Sequence, residues 1–341
     1  MITLLNEKDW KKLRREPYQK YKDYQMVVSS AIDGIPETIR AINDNSLSVE
    51  GYHFSGLRNA SSLLFKESLE LIFYSYSAGL TVEELADFFP KVVEYWQLYA
   101  KHHINFHQSS ECDGHLVPHL ELVTDEYWEA LQLVCFSILF AQPEHLKIIM
   151  ELLAYENDEQ DALLDKLVSP WLPDREISEV YLRQLPYRKL EKVFTADEVD
   201  RPALMSAYMD EWYGASKREP YHDRHKSSFF PGYWSLEAAA MTVILRIDDS
   251  SYRDKPYYPK DLVDYARSQY TVLDEHGNIE GEADRLRCEA SQSCPQSGEW
   301  YSPANDMQKR HFNQGEIMPE IKDNSWGETI WYLDRLCCTK I

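Results

Sequence analysis

Over residues 57–269 apolar side chains recur at the three- and four-residue spacing of helices that each bury one face, and this periodicity constrains the fold most. Leu57, Ala60, Leu64, Leu71, Ile72 and Tyr76 form a first stripe, ending at Gly79, a residue suited to the left-handed position past a helix C-terminus. A second helix follows at once. Thr81-Val-Glu-Glu84 predicts a capping box, in which a hydroxyl and a carboxylate each satisfy an orphan amide. Val82, Leu85, Phe89, Val92, Val93, Trp96 and Tyr99 supply its apolar face, with Pro90 read as a kink or restart. A polar segment over 101–118 interrupts the helices. Thr124-Asp-Glu126 then opens a helix striped by Trp128, Leu131, Val134, Cys135, Ile138 and Leu139, and Pro143 begins a shorter one bearing Leu146, Ile149, Met150 and Leu153. Further helices are expected over 158–168, 186–194, 201–212, 232–246 and 259–269, and the first fifty-odd residues read as one long polar helix with a connector.

Short connections between amphipathic helices imply antiparallel neighbours, so the expected fold class is all-α, an array of antiparallel helical hairpins. Thr81, Thr124 and Thr195 each resemble a helix start, although capping boxes are too common to establish a repeat. The last seventy residues differ. Glu275-His-Gly-Asn278 is a turn signal, Gly298, Pro303, Gly315, Pro319 and Gly327 punctuate the rest, and Ile330-Trp-Tyr-Leu333 reads as a strand pairing with Trp300-Tyr-Ser302. The expected organisation is an N-terminal helical domain over 1–122, a C-terminal helical domain over 123–270, and a small irregular or β appendage over 271–341.

Charge narrows the functional classes. The 57 acidic residues against 36 Lys and Arg, a net charge of -21, argue against nucleic acid as a direct ligand and against an anionic membrane surface, since both need clustered cations. No window approaches the roughly 18 uncharged apolar residues of a membrane span. The N-terminus is charged with no apolar run behind it, and the six cysteines show no CxxC pair, so a cytoplasmic location with reduced thiols is expected. A basic partner is what an acidic field attracts. Residues 80–165 carry 17 Asp and Glu against 3 Lys. The candidate partner-binding residues in this stretch are Glu83, Glu84, Asp87 and Glu94 off the apolar stripe of one helix, Glu126, and Glu156, Asp158, Glu159 and Asp161 at a hairpin turn.

Catalytic signals are weak. His102, His103, His107, Cys112, His115 and His119 include two i, i+4 histidine pairs, the spacing that could place two imidazoles on one metal and the basis of an alternative reading as a metal-dependent enzyme. No HExxH motif accompanies them, and Gly114 and Pro118 predict a loop, so no metal is expected. GxSxG, GxxxxGK[ST] and GxGxxG are absent, and no cofactor or catalytic residue is assigned. Asp248-Asp249-Ser-Ser251 lacks the acid ladder of a calcium loop and reads as a turn cap. Glu237, within the apolar run 233–241, is expected to be a structural carboxylate bonded to a Tyr hydroxyl or an Arg.

Phe230-Pro-Gly-Tyr-Trp-Ser-Leu-Glu-Ala-Ala-Ala240, Ile247-Asp-Asp-Ser-Ser251 and Lys255-Pro-Tyr-Tyr-Pro-Lys-Asp-Leu-Val263 together resemble the PoNi family of immunity proteins. The resemblance implies a two-domain helical protein that is not an enzyme and that neutralises a cognate toxin by binding it. The toxins implied are polymorphic DNases delivered by secretion systems, commonly type VI. The N-terminal half matches on layout. The tail, with Cys294-Pro-Gln-Ser-Gly-Glu-Trp300, Arg310, Gly315-Glu-Ile-Met-Pro319 and Trp326-Gly-Glu-Thr-Ile-Trp331, is similar to a segment appended to other bacterial immunity proteins. Within the signature, Gly232 suits a tight turn into a helix, Tyr233 and Trp234 anchor packing, Glu237, Asp248 and Asp249 are read as structural, and Pro256 and Pro259 shape a connector. A carboxylate-rich surface would then occlude the toxin's cationic DNA-binding face. A third reading is an acidic helical scaffold for an unrelated basic protein.

Overall fold

The computed structural model describes every residue except 1, 45, 48–51, 113–125, 155–160, 227–228, 271, 274–278, 281–286, 306–307, 323–328 and 334–341. The chain is mainly helical, and among the described residues the strands are short, antiparallel and confined to the C-terminal end. The helices are α1 (Glu7–Leu13), α2 (Tyr21–Asn43), α3 (His53–Ala78), α4 (Val82–His107), α5 (Glu126–Leu139), α6 (Leu146–Ala154), α7 (Ala162–Val168), α8 (Glu191–Thr195), α9 (Arg201–Ala215), α10 (Leu236–Ile244) and α11 (Lys260–Gln269). They lie in one compact unit, Met1–Gln269, and Tyr270–Ile341 forms a second.

The α3–α4 turn follows local chemistry. Gly79 adopts φ 105°, and the Leu80 amide donates back to Ser75 O at 3.0 Å, closing the helix end. Thr81 and Glu84 complete the capping box of α4. α3 packs on both α2 and α4, while α5 meets α10, α6, α7 and α11. Ten residues of α5 are buried, including Tyr127, Leu133, Cys135 and Phe136, as befits a helix enclosed by neighbours rather than lying at the surface.

Four local expectations need correction. The N-terminal region holds two helices, not one polar helix: α2 buries Tyr24, Val28, Ala31, Ile35 and Ile42, a stripe interleaved with charges. Pro90 neither ends nor restarts α4, since Phe89, Val92 and Val93 on either side of it are fully packed and tertiary burial outweighs one missing amide. The polar residues 101–107 are helical: His103 continues the stripe of Trp96, Tyr99 and Ala100 with its ring against Tyr99, and His102 is buried on another side of α4. Thr195 does not start a helix. It is the last residue of α8, its hydroxyl donating to Glu191 O at 3.0 Å, and α9 begins at Arg201 with Pro202 in its first turn. The Thr124 start and the turn at 275–278 lie outside the described residues.

In the second unit, β1 (Val272–Leu273) pairs with β2 (Ile279–Glu280). A separate four-stranded sheet comprises β3 (Arg287–Glu289), β4 (Gly298–Tyr301), β5 (Arg310–Phe312) and β6 (Ile330–Leu333) in the order β3-β6-β4-β5. The expected pairing of β4 with β6 is present, with Trp300 opposite Leu333 and Tyr301 opposite Tyr332. Trp300, Phe312, Met318 and Trp331 form this unit's own core with Cys288 and Cys294. Among the described residues no helix is long and apolar enough to cross a membrane.

Candidate functional site

The segment 230–237 is built as a latch across the helical unit. Gly232 adopts φ 131°, and a Cβ there would stand 2.2 Å from Ser77 Oγ. The Ser77 hydroxyl donates to Pro231 O and accepts the Trp234 indole N–H at 2.8 Å, fixing the segment to the C-terminal turn of α3. The N-terminal strap, residues 14–20 between α1 and α2, joins the same knot. Glu16, buried, accepts the Tyr233 amide at 3.1 Å and the Tyr18 amide at 2.9 Å, and burial pushes its carboxyl above the ordinary range against those bonds. Arg15 donates to Tyr76 O and Leu80 O and pairs with Asp261 of α11 at 2.6 Å.

Glu237 follows. One carboxylate oxygen accepts the hydroxyl of Ser235 at 2.7 Å, the phenol of Tyr208 at 2.7 Å and the indole N–H of Trp212 at 2.6 Å. All three donors are neutral. Burial therefore raises the carboxyl's pKa, with the hydrogen bonds opposing. The group lines a cavity of about 350 Å³ together with Phe73, Trp128, Trp212, Tyr221 and Trp234. Farther along, Asp248 caps a turn through the Ser250 amide, 3.0 Å away. Burial would raise the carboxyl of Asp249, but Arg267 at 2.8 Å, Tyr258 and Arg253 hold it below the usual range. Pro256 precedes Tyr257, whose carbonyl accepts the Ser235 amide at 2.8 Å, and Pro259 stands directly before α11, accepting the Leu262 amide. The signature thus makes contacts that hold the fold.

The acidic candidates separate into different environments. Glu83 and Asp87 are exposed on α4, and neither has a basic side chain within salt-bridge reach among the described residues. Glu84 is engaged by Thr81 in the cap, and Glu94 pairs with Lys91 at 2.8 Å. Glu126 is half-buried and accepts the Tyr99 phenol at 3.1 Å. Glu156, Asp158 and Glu159 lie outside the described residues.

Asp161 departs from the expected surface role. It is buried at the N-cap of α7, accepting the amides of Leu163, Leu164 and Leu182. Burial raises its carboxyl to about 6 against those three bonds, with Asp165 adding to the rise. Its ordinary value is 3.8. Between these two values the folded state holds a proton that the unfolded chain has released, so stability falls as pH rises through that window. The stability of the parent relative to Asp161→Asn should therefore decline by up to about 1.4 kcal/mol per pH unit from about pH 4 to 6. Denaturant midpoints across that range test this, and a gap independent of pH would show that the group stays ionised.

His103 and His107 lie one turn apart on α4 with ring centroids 4.5 Å apart, and His107 Nδ1 is 3.3 Å from Cys112 Sγ. His102 is buried away from them, and burial lowers its pKa. Among the described residues no group of three or more His, Cys, Asp or Glu is arranged to hold a metal; His115 and His119 lie outside that set. Sequence reasoning did not single out Glu16, Ser77, Tyr208 or Trp212. For Ser77 the available signal was a pair of serines, Ser75 and Ser77, in the last turn of an apolar helix.

These features define a mainly helical protein in which the end of α3, the N-terminal strap and the 230–237 segment are tied by one buried polar latch. Residues 3–150 match the N-terminal part of the PoNe immunity protein family (PoNi), and residues 159–262 match the C-terminal part. The chain belongs to the PoNi family of immunity proteins. No curated protein matches it. Among solved structures, protein PA2201 of Pseudomonas aeruginosa is similar, with a TM-score of 0.63 and 23% identity over 79% of this chain and 99% of that one, a likeness of fold.

Proposed function

We propose that the protein neutralises a basic nuclease toxin, a DNase of the kind delivered by type VI secretion, by binding it in the cytoplasm and covering its DNA-binding face. Family membership supports an immunity role and hence a toxin partner. The observation that carries the mechanism is the pair Glu83 and Asp87. Like charges at i, i+4 cost a helix about 0.2–0.5 kcal/mol, and the fold offers these two no cation among the described residues. Their field reaches α11: burial first, then the charges of Glu83 and Asp87, raises the phenol of Tyr265 above its ordinary range. Such carboxylates fit where phosphates of DNA would sit on a toxin. The four described cysteines are all free thiols, in keeping with a reducing compartment.

The test uses the toxin encoded beside this gene. Glu83→Lys with Asp87→Lys should leave the fold intact, the exposed Asp87 change costing under about 0.5 kcal/mol and the Glu83 change, in the first turn of α4, up to about 1 kcal/mol. Association with the toxin should slow by roughly tenfold or more at low salt, and the parent's rate should fall as ionic strength shortens the field's reach to about 8 Å. A doubly reversed variant that associates and protects cells like the parent, with rates indifferent to salt, removes α4 from the mechanism.

A further inference from the structure

A groove of about 300 Å³ lies between α2 and α3, lined by Met26, Ala31, Glu67, Glu70 and Phe229. Met26 and Phe229 remain 45% and 48% exposed, unlike the packed apolar side chains beneath them. Phe229 holds φ 67°, a left-handed conformation that a bulky aromatic residue adopts rarely. Its backbone is held there by the latch that begins at Phe230 and by Arg224, whose guanidinium donates to Phe229 O at 3.3 Å. The same guanidinium approaches Glu70 only loosely, at 3.7 Å. Glu67 is half-buried, with no basic side chain within salt-bridge reach among the described residues. Burial, and then the charge of Glu70, pushes the Glu67 carboxyl upward.

We propose that this groove is the docking site for one arginine or lysine of the toxin, its stem lying between Met26 and Phe229 and its charge on Glu67 and Glu70. The inference rests on the reading that the chain binds a toxin, and it adds an anchor to that reading. The occupant follows from complementarity. A long basic side chain has an apolar stem and a cationic head, a guanidinium stacks on an aromatic face, and carboxylates form their strongest hydrogen bonds with cations. An apolar or acidic occupant would strip water from Glu67 without pairing it, and from Glu70 while leaving it only its loose contact with Arg224. A second copy of this chain carries the same -21 and is repelled.

Calorimetry of the full chain with the toxin encoded beside its gene tests the groove. Phe229→Gly removes the ring and relieves the left-handed backbone, so thermal stability should hold or rise while affinity falls by at least about thirtyfold, the loss typical of an anchoring side chain. Glu67→Gln should lose about tenfold. Met26→Lys, on a helix that does not enter the latch, should weaken binding by about tenfold as well and serves if the glycine variant fails to fold. Retained stability with lost affinity in these variants supports the anchor. If the parent forms a complex and all three variants bind equally well, the groove is overturned while toxin binding stands. A parent that forms no complex overturns both. Self-association of the parent that these variants abolish, with toxin affinity unchanged, would assign the groove to a second copy instead and overturn the proposal.

Discussion

Glu237→Ala should destabilise the protein by roughly 3–5 kcal/mol, the cost of leaving several buried donors without their acceptor. In the parent, one oxygen of this carboxylate accepts Ser235, Tyr208 and Trp212. Tyr208 and Trp212 belong to α9, and Ser235 stands at the N-cap of α10, so a single group joins two helices. Truncation leaves a buried phenol, indole N–H and hydroxyl without their acceptor and enlarges the cavity that Glu237 lines. Against a total stability of about 5–15 kcal/mol, the variant should unfold at much lower urea concentration. Glu237→Gln separates charge from hydrogen bonding. It retains a carbonyl acceptor and removes a carboxyl that burial already drives toward its neutral form, so its cost should stay below about 2 kcal/mol. Urea unfolding followed by tryptophan emission gives both values, and an alanine variant within about 1 kcal/mol of the parent would show that the cluster contributes little.

Gly232→Ala is expected to cost about 3 kcal/mol or more, although it adds only one methyl group. The new carbon would lie 2.2 Å from Ser77 Oγ and 2.6 Å from Trp234 Nε1. Neither atom is a flexible chain end, because Ser77 and Trp234 are bonded to each other and Ser77 also to Pro231 O. The φ of 131° adds a penalty that any residue with a Cβ bears. Gly214→Ala is the control. That glycine lies within α9 with nothing within 4 Å of the added carbon, so the same change should stabilise by roughly 0.5–1 kcal/mol through helix propensity. Opposite signs at the two positions in thermal unfolding would separate the latch from general glycine effects. Equal shifts would show that the close approach at Gly232 relaxes at little cost.

Local order was legible wherever a few neighbouring residues decide it. The Gly79 helix end, the Thr81 and Glu84 cap, the α4 stripe and the pairing of β4 with β6 all follow from spacing, side-chain chemistry and alternation within short windows. The structural character of Glu237 was also readable, since a carboxylate in a run of alanine and other apolar residues must be paired. Its partners were not. Tyr208 and Trp212 carry no mark distinguishing them from other core aromatics of this chain.

The sequence by itself determined the helical class, the main helix ends and the acid-rich stretch, because hydrophobic period, caps and net charge are properties of local segments and of their sum. Tertiary structure alone decided which carboxylates face water. Asp161 closes an acidic run yet is buried on three amides, whereas Glu83 and Asp87 stand exposed. It also brought Glu16 to Tyr233 across 217 positions and Ser77 to Trp234 across 157, pairings no periodicity encodes. A side chain's charge is written in its own identity, but its desolvation and its partner are set by distant segments that meet only when the core closes.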